Sequence, residues 1–85
     1  MKYDDGKSYE FDGCTIVIMD HDFDDCGKQF YIVHVFDNCH VRRCWYWKNE
    51  FSVQKVVKDF REISVDNNGN RWDRSEFIKE HGSLT

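Results

Sequence analysis

Three stretches rich in β-branched and aromatic residues, 14–19, 29–36 and 41–47, follow one another with short polar breaks between them. Such side chains crowd the preceding turn of a helix but pack well on a pleated, half-buried surface. The rest of the composition points the same way. There is no Pro and no Ala, Leu84 is the only leucine, and the apolar content comes from Val, Ile, seven Phe, four Tyr and three Trp. The breaks carry turn residues, Gly27-Lys28 in the first and Asp37-Asn38 in the second. Three hairpin-linked strands, an antiparallel meander, are therefore expected. Tyr9 to Phe11 reads as a short strand or a loose extension.

Beyond Trp47 the period changes. Val53, Val56, Val57 and Phe60 fall at i, i+3, i+4 and i+7, one face of a helix. Ser52 suits the N-cap, with Phe51 placed to staple onto Val56. Ile63, Ser64 and Val65 read as a fourth short strand, and 66–70, containing Asn68-Gly69, as a turn. Asp73 with Glu76 three residues on starts a second helix that runs to about His81, where Gly82 stops it. Eighty-five residues make one domain. The expected fold is α+β: a three-stranded antiparallel meander, extended by a fourth short strand, packed on one helix, with a short C-terminal helix.

Pairing Met19 with Gln29 and Phe36 with Val41 sorts the strands into two faces. Ile16, Ile18, Phe30, Ile32, Phe36, Val41, Trp45 and Trp47 share one, a coherent core for the Val53 helix to cover. Thr15, Val17, Met19, Tyr31, Val33, Val35, Arg42, Cys44, Tyr46 and Lys48 share the other. That second face is too apolar to stand in water unexplained, so the C-terminal helix, a partner or a second copy should cover it.

Charge is unevenly spread. Residues 1–25 hold eight acidic and two basic side chains, a balance of −6, whereas residues 26–85 sum to +2. Asp20, Asp22, Asp24 and Asp25 crowd the segment between the first two strands, which places them at a hairpin tip. They could hold a cation, steer a basic partner by imitating a phosphate backbone, or keep the tip solvated. Counted from Asp20, an EF-hand loop needs Gly where Asp25 stands and Glu where Tyr31 stands, so that motif fails. The loop from Asp66 fails in the same way, with Arg71 at the sixth position.

Cys14, His34, Cys39 and His40 are the weak candidates for a zinc site, but no C-x2-C pair is present. Cys14 opposite His34 would make a thiol–imidazole pair only inside an apolar face, where a thiolate is disfavoured. No Gly-rich phosphate loop or oxyanion element is recognisable, and the chain reads as no enzyme and as needing no cofactor. A net charge of −4 argues against a general grip on nucleic acid. The Arg42–Lys48 run interleaves bases with aromatics. With Trp45 and Trp47 in the core, however, only Arg42, Tyr46 and Lys48 would face a single strand, a thin platform.

The N-terminus lacks the apolar h-region of a signal peptide, and no apolar run approaches membrane-spanning length. Four cysteines without a secretion signal read as reduced thiols. The expected setting is the cytosol of a cell or an infected host. In style, short, acidic, aromatic-rich and without catalytic motifs, the chain resembles small accessory proteins of bacteria and their phages, many of which occupy another protein's working surface. The expectation is a non-enzymatic protein-binding module, an inhibitor of phage or mobile-element type. It would use its outer sheet face (Val17, Met19, Tyr31, Val33, Arg42, Tyr46) and its acidic tip (Asp20, Asp22, Asp24, Asp25). The partner would be a protein, for instance a basic nucleic-acid-binding one, or a second copy of the chain. The alternatives are a small-ligand or zinc module and a single-stranded nucleic-acid binder.

Overall fold

Each of the three β-type stretches forms a strand, and two further strands flank them. The computed structural model describes residues 5–66 and 71–85. Its elements are β1 (Ser8–Phe11), β2 (Cys14–Phe23), β3 (Gln29–Phe36), β4 (His40–Trp47), α1 (Val53–Asp66), β5 (Trp72–Asp73) and α2 (Arg74–His81). The strands make one antiparallel sheet in chain order, so the α+β class holds with five strands and two helices.

The additional strands have local causes. β1 joins β2 through Asp12-Gly13, both at positive φ (49° and 78°), as a two-residue hairpin turn requires. The Asp-Gly pair is its sequence signal; the four-residue strand itself is too short to show an alternation. β5 pairs only His40↔Asp73 and Val41↔Trp72, just ahead of α2. The strand expected at 63–65 is a correction: these residues lie within α1. Ile63 stands three residues beyond Phe60 and prolongs the helical stripe, so the 3.6-residue period outweighs β-branching. The turn expected next falls mainly on residues 67–70, outside the described residues.

Both helix starts behave as their sequences imply. Ser52 Oγ accepts the Lys55 N–H at 3.1 Å. Asp73 Oδ1 accepts from the N–H groups of Ser75 and Glu76 at 3.0 and 3.4 Å. Gly82, at φ 85°, closes α2 by donating its N–H to the Ile78 carbonyl.

The β3–β4 register is the expected one, with Phe30↔Trp47, Ile32↔Trp45, His34↔Arg43 and Phe36↔Val41. The β2–β3 register is not. Ile16 lies opposite Val35 and Ile18 opposite Val33, a slip of three residues from the expected pairing. β2 continues through the acidic run to Phe23, so the hairpin closes late, at 24–28. There Asp24 Oδ1 accepts the N–H groups of Cys26 and Lys28 at 2.9 and 2.8 Å. A bulge at Met19 then shifts the ladder so that Asp20 faces Ile32. An odd slip moves a strand's side chains to the other face.

The core is rearranged accordingly. Cys14, Ile16, Ile18, Tyr31, Val33, Val35 and Tyr46 pack with Val56, Val57 and Phe60 of α1. On the other face Val17, Phe36 and Val41 pack with Phe77 of α2 and Leu84. The outer face expected to meet a partner is thus corrected: Val17, Tyr31, Val33 and Tyr46 are buried within the chain, and Met19 is half-buried against the second cluster. Tyr46 is further committed by donating its hydroxyl to Asp59 Oδ2 at 2.7 Å. Burial, then that bond, pushes its pKa up.

His34, only 2% exposed, ties the C-terminal segment to the sheet. Its ring contacts Phe77 edge-on at 5.1 Å, and Nδ1 lies 3.0 Å from the Leu84 carbonyl. Arg43 approaches Nε2 at 3.4 Å. A guanidinium only donates and a carbonyl only accepts, so the neutral ring with hydrogen on Nδ1 satisfies both. Burial lowers the His34 pKa, and the charges of Arg43 and His81 act in the same direction against the Leu84 carbonyl.

Two outcomes follow from this packing. Tyr31→Ala with Tyr46→Ala removes two core rings, at about 3–5 kcal/mol each, against a total stability of about 5–15 kcal/mol. The double variant should lose its cooperative thermal transition by circular dichroism, and retention of that transition would contradict the buried placement. The second concerns pH. A histidine whose pKa is lowered by folding is protonated first in the unfolded chain. Its contribution to stability is intact above the unfolded value near ~6.5 and is lost as pH falls below it. Urea midpoints should drop between about pH 7.5 and 5.5, and His34→Gln should flatten that slope.

Candidate functional site

The two helices cover unequal shares of the sheet. A helix of eight residues, as in α2, is about 12 Å long, whereas a strand of eight residues spans about 26 Å. α2 and Leu84 therefore close only the end of their face that holds Val17, Phe36 and Val41. The other end of that face lies beyond their reach.

Strand pairing defines what stands there. One transverse row runs Asp20–Ile32–Trp45 and the next runs Asp22–Phe30–Trp47. Directly paired residues share a face, so each row reads carboxylate, apolar, indole. Trp45 is 55% exposed, although it lies within β4 and pairs with Ile32 of β3. Phe30, Ile32 and Trp47 are half-buried. The rings brace one another edge to face, with centroids 5.6 Å apart for Phe30–Trp45, 6.0 Å for Phe30–Trp47 and 5.0 Å for Trp45–Trp47. They line a shallow recess of about 300 Å³.

Charge frames this patch on both sides. Asp20 and Asp22 form the acidic border along β2, both exposed. Lys28 Nζ sits 4.4 Å above the Trp47 ring, and Arg43, exposed on β4, follows Trp45 on the same face. The surface is therefore apolar at its centre, anionic along one long side and cationic at two corners of the other.

The expected site residues are dispersed. Asp20 and Asp22 reach this surface, although from a strand rather than a loop. Asp25 is exposed at the hairpin turn beside Phe23, itself 47% exposed. Asp24 is occupied in closing the turn. Val17, Tyr31, Val33 and Tyr46 are core. Arg42 is half-buried on the α1 side, beside a recess shared with Asp59, Glu62 and Ile63, and its Nε is buried with no hydrogen-bond partner among the described residues. Trp45, Trp47, Phe30, Ile32 and Lys28 were not among the expected contact residues. The β3–β4 register does group the first four on one face; the short second helix is what leaves them uncovered.

The zinc candidates do not converge. Cys14 lies under α1, His34 lies on the other face, and Cys39 and His40 sit at the β3–β4 turn. Burial raises the pKa of Cys14 and brings that of Cys44 to about 11, which keeps both thiols protonated and weak as nucleophiles or ligands. At the β3–β4 turn, burial would raise Asp37, but the N–H groups of His40 and Cys39 outweigh it and hold the carboxylate ionised.

Among the described residues, one group does present ligand-type atoms together: Asp5, Asp20 and His21, within 4.8 Å of one another. His21 Nδ1 lies 3.1 and 3.0 Å from the two Asp5 oxygens, a bond that fastens the residues before β1 to β2. A hard cation takes about six to eight oxygens, so this trio, two exposed carboxylates and a half-buried imidazole, is accounted for by the His–Asp contact. No helix among the described residues is long and apolar enough to cross a membrane.

No protein-family model, curated protein or solved structure matches this chain.

Proposed function

We propose that this chain is a non-enzymatic protein-binding module whose contact surface is the uncovered pair of rows, Asp20–Ile32–Trp45 and Asp22–Phe30–Trp47. The observation that carries this reading is Trp45, 55% exposed and packed edge-on against two other exposed-face rings. Leaving such a cluster in water forgoes about 25 cal/mol for every Å² of apolar surface, and a second function of the surface accounts for that loss. Trp and Arg are the residue types that most often dominate binding energy. The rings are held by one another and by the strands, so little side-chain freedom is lost on contact.

The acidic border supports a partner with a basic surface. The balance of −6 over residues 1–25 speeds encounter with such a partner, and the exposed Asp22 and Asp25 beside Phe23 extend the footprint toward the turn. Acting in the cytosol of a cell or infected host, the module would inhibit by occupying a surface that otherwise meets nucleic acid. A second reading, stacking on a single nucleic-acid strand, draws on the same exposed rings and on Lys28 above Trp47. The carboxylates of Asp20 and Asp22, one in each row, work against it.

Trp45→Ser tests the surface, because a side chain this exposed can be changed at a stability cost within about 1 kcal/mol. Tagged wild type and variant are used for affinity purification from a native-like lysate, with and without nuclease, followed by mass spectrometry. A partner recovered by wild type should fall at least ~10-fold with the variant, the effect of a hot-spot residue. Equal recovery would discard the surface, and recovery that disappears with nuclease would favour the nucleic-acid reading. Asp20→Lys with Asp22→Lys should lower the association rate at low salt and flatten its salt dependence.

A further inference from the structure

We infer that, until a basic partner takes it, this surface is covered by a second copy of the chain, docked face to face about a two-fold axis parallel to the strands. The inference rests on the reading of the patch as a protein-binding surface and adds what covers it while that partner is absent. An isologous contact requires a surface complementary to itself, and the patch meets that condition in an unusual way. Its acidic residues stand on β2, whereas Arg43 stands on β4 and Lys28, from the turn ahead of β3, reaches over Trp47 of β4, with apolar side chains between the two sides.

The symmetry choice follows from charge. An in-plane axis perpendicular to the strands would lay β2 on the partner's β2, stacking the Asp20–Asp22 column on its own copy, which like charges oppose. An axis along β3 instead lays β2 over β4. Asp22 of one copy then meets Trp47, over which Lys28 is held at 4.4 Å, and Asp20 meets Trp45 next to Arg43. Ile32 and Phe30, on the central strand, meet their own copies and form the dry middle. Each copy contributes both halves of this pattern, so two sets of acid–base contacts close around one apolar centre. The exposed Trp45 is covered in the process.

The uncovered rows span roughly 7 by 10 Å of sheet, less than the ~800 Å² per partner of a standard interface. Association is therefore weak, and the measurement has to reach high concentration. Sedimentation velocity from about 1 μM to about 1 mM should show wild type passing from monomer to dimer. Asp20→Lys with Asp22→Lys, and separately Lys28→Glu with Arg43→Glu, should each remain monomeric at the top concentration. An equimolar mixture of the two should recover a heterodimer. Trp45→Ser should also remain monomeric, and circular dichroism melts establish that every variant is folded.

A wild type that is monomeric throughout overturns the inference, as do charge variants that dimerise as well as wild type or folded variants whose mixture does not associate. In the first case the partner-binding reading survives if Trp45→Ser still loses a captured protein. If the wild type dimerises but Trp45→Ser dimerises equally, both the dimer geometry and the choice of surface fail together.

Discussion

One sheet with two apolar faces and two helices of unequal length sets the arrangement of this protein. α1, with fourteen residues, carries a stripe long enough to close its face. α2 has eight, and with Leu84 it seals only one end of the other face. Burial drives packing wherever a cover is available, and among the described residues no helix reaches the other end of this face. The aromatic cluster around Trp45 is the direct consequence.

The second constraint is the alignment of β2. Had the strand ended at Met19, the carboxylates would have hung in a loop remote from the rings. Because it continues to Phe23 and bulges at Met19, Asp20 and Asp22 stand in register with Ile32 and Phe30, and through them with Trp45 and Trp47. The same residues that made the sequence look like a loop thus become one border of an organised surface. Asp24, from the same acidic run, serves only to close the hairpin. Four neighbouring aspartates have different roles because strand alternation and turn geometry place them differently.

Much of the local structure was legible in the residues themselves. The three β-type stretches, the Ser52 and Asp73 caps, the Gly82 stop and the whole β3–β4 register follow from short-range rules about side-chain shape and hydrogen bonding. The β2–β3 pairing did not. A hairpin with a long polar break admits several registers, and a three-residue slip exchanges the faces. The strand expected at 63–65 failed for a related reason, since three β-branching-rich positions cannot outweigh continuation of a helix already packed on the sheet.

The sequence by itself determined that this chain forms an antiparallel sheet with two helices, that Trp45, Trp47, Phe30 and Ile32 share one face, and that its negative charge gathers before residue 26. These are consequences of period, propensity and composition, all local in the chain. Only the tertiary structure decided which face α1 covers, that Tyr31, Val33 and Tyr46 belong to the core, and that the Trp45 cluster remains in contact with water. Those outcomes depend on how far each helix reaches across the sheet and on where the β2–β3 hairpin closes. Both are matters of length and long-range register, and neither is encoded in the immediate neighbours of the residues they expose.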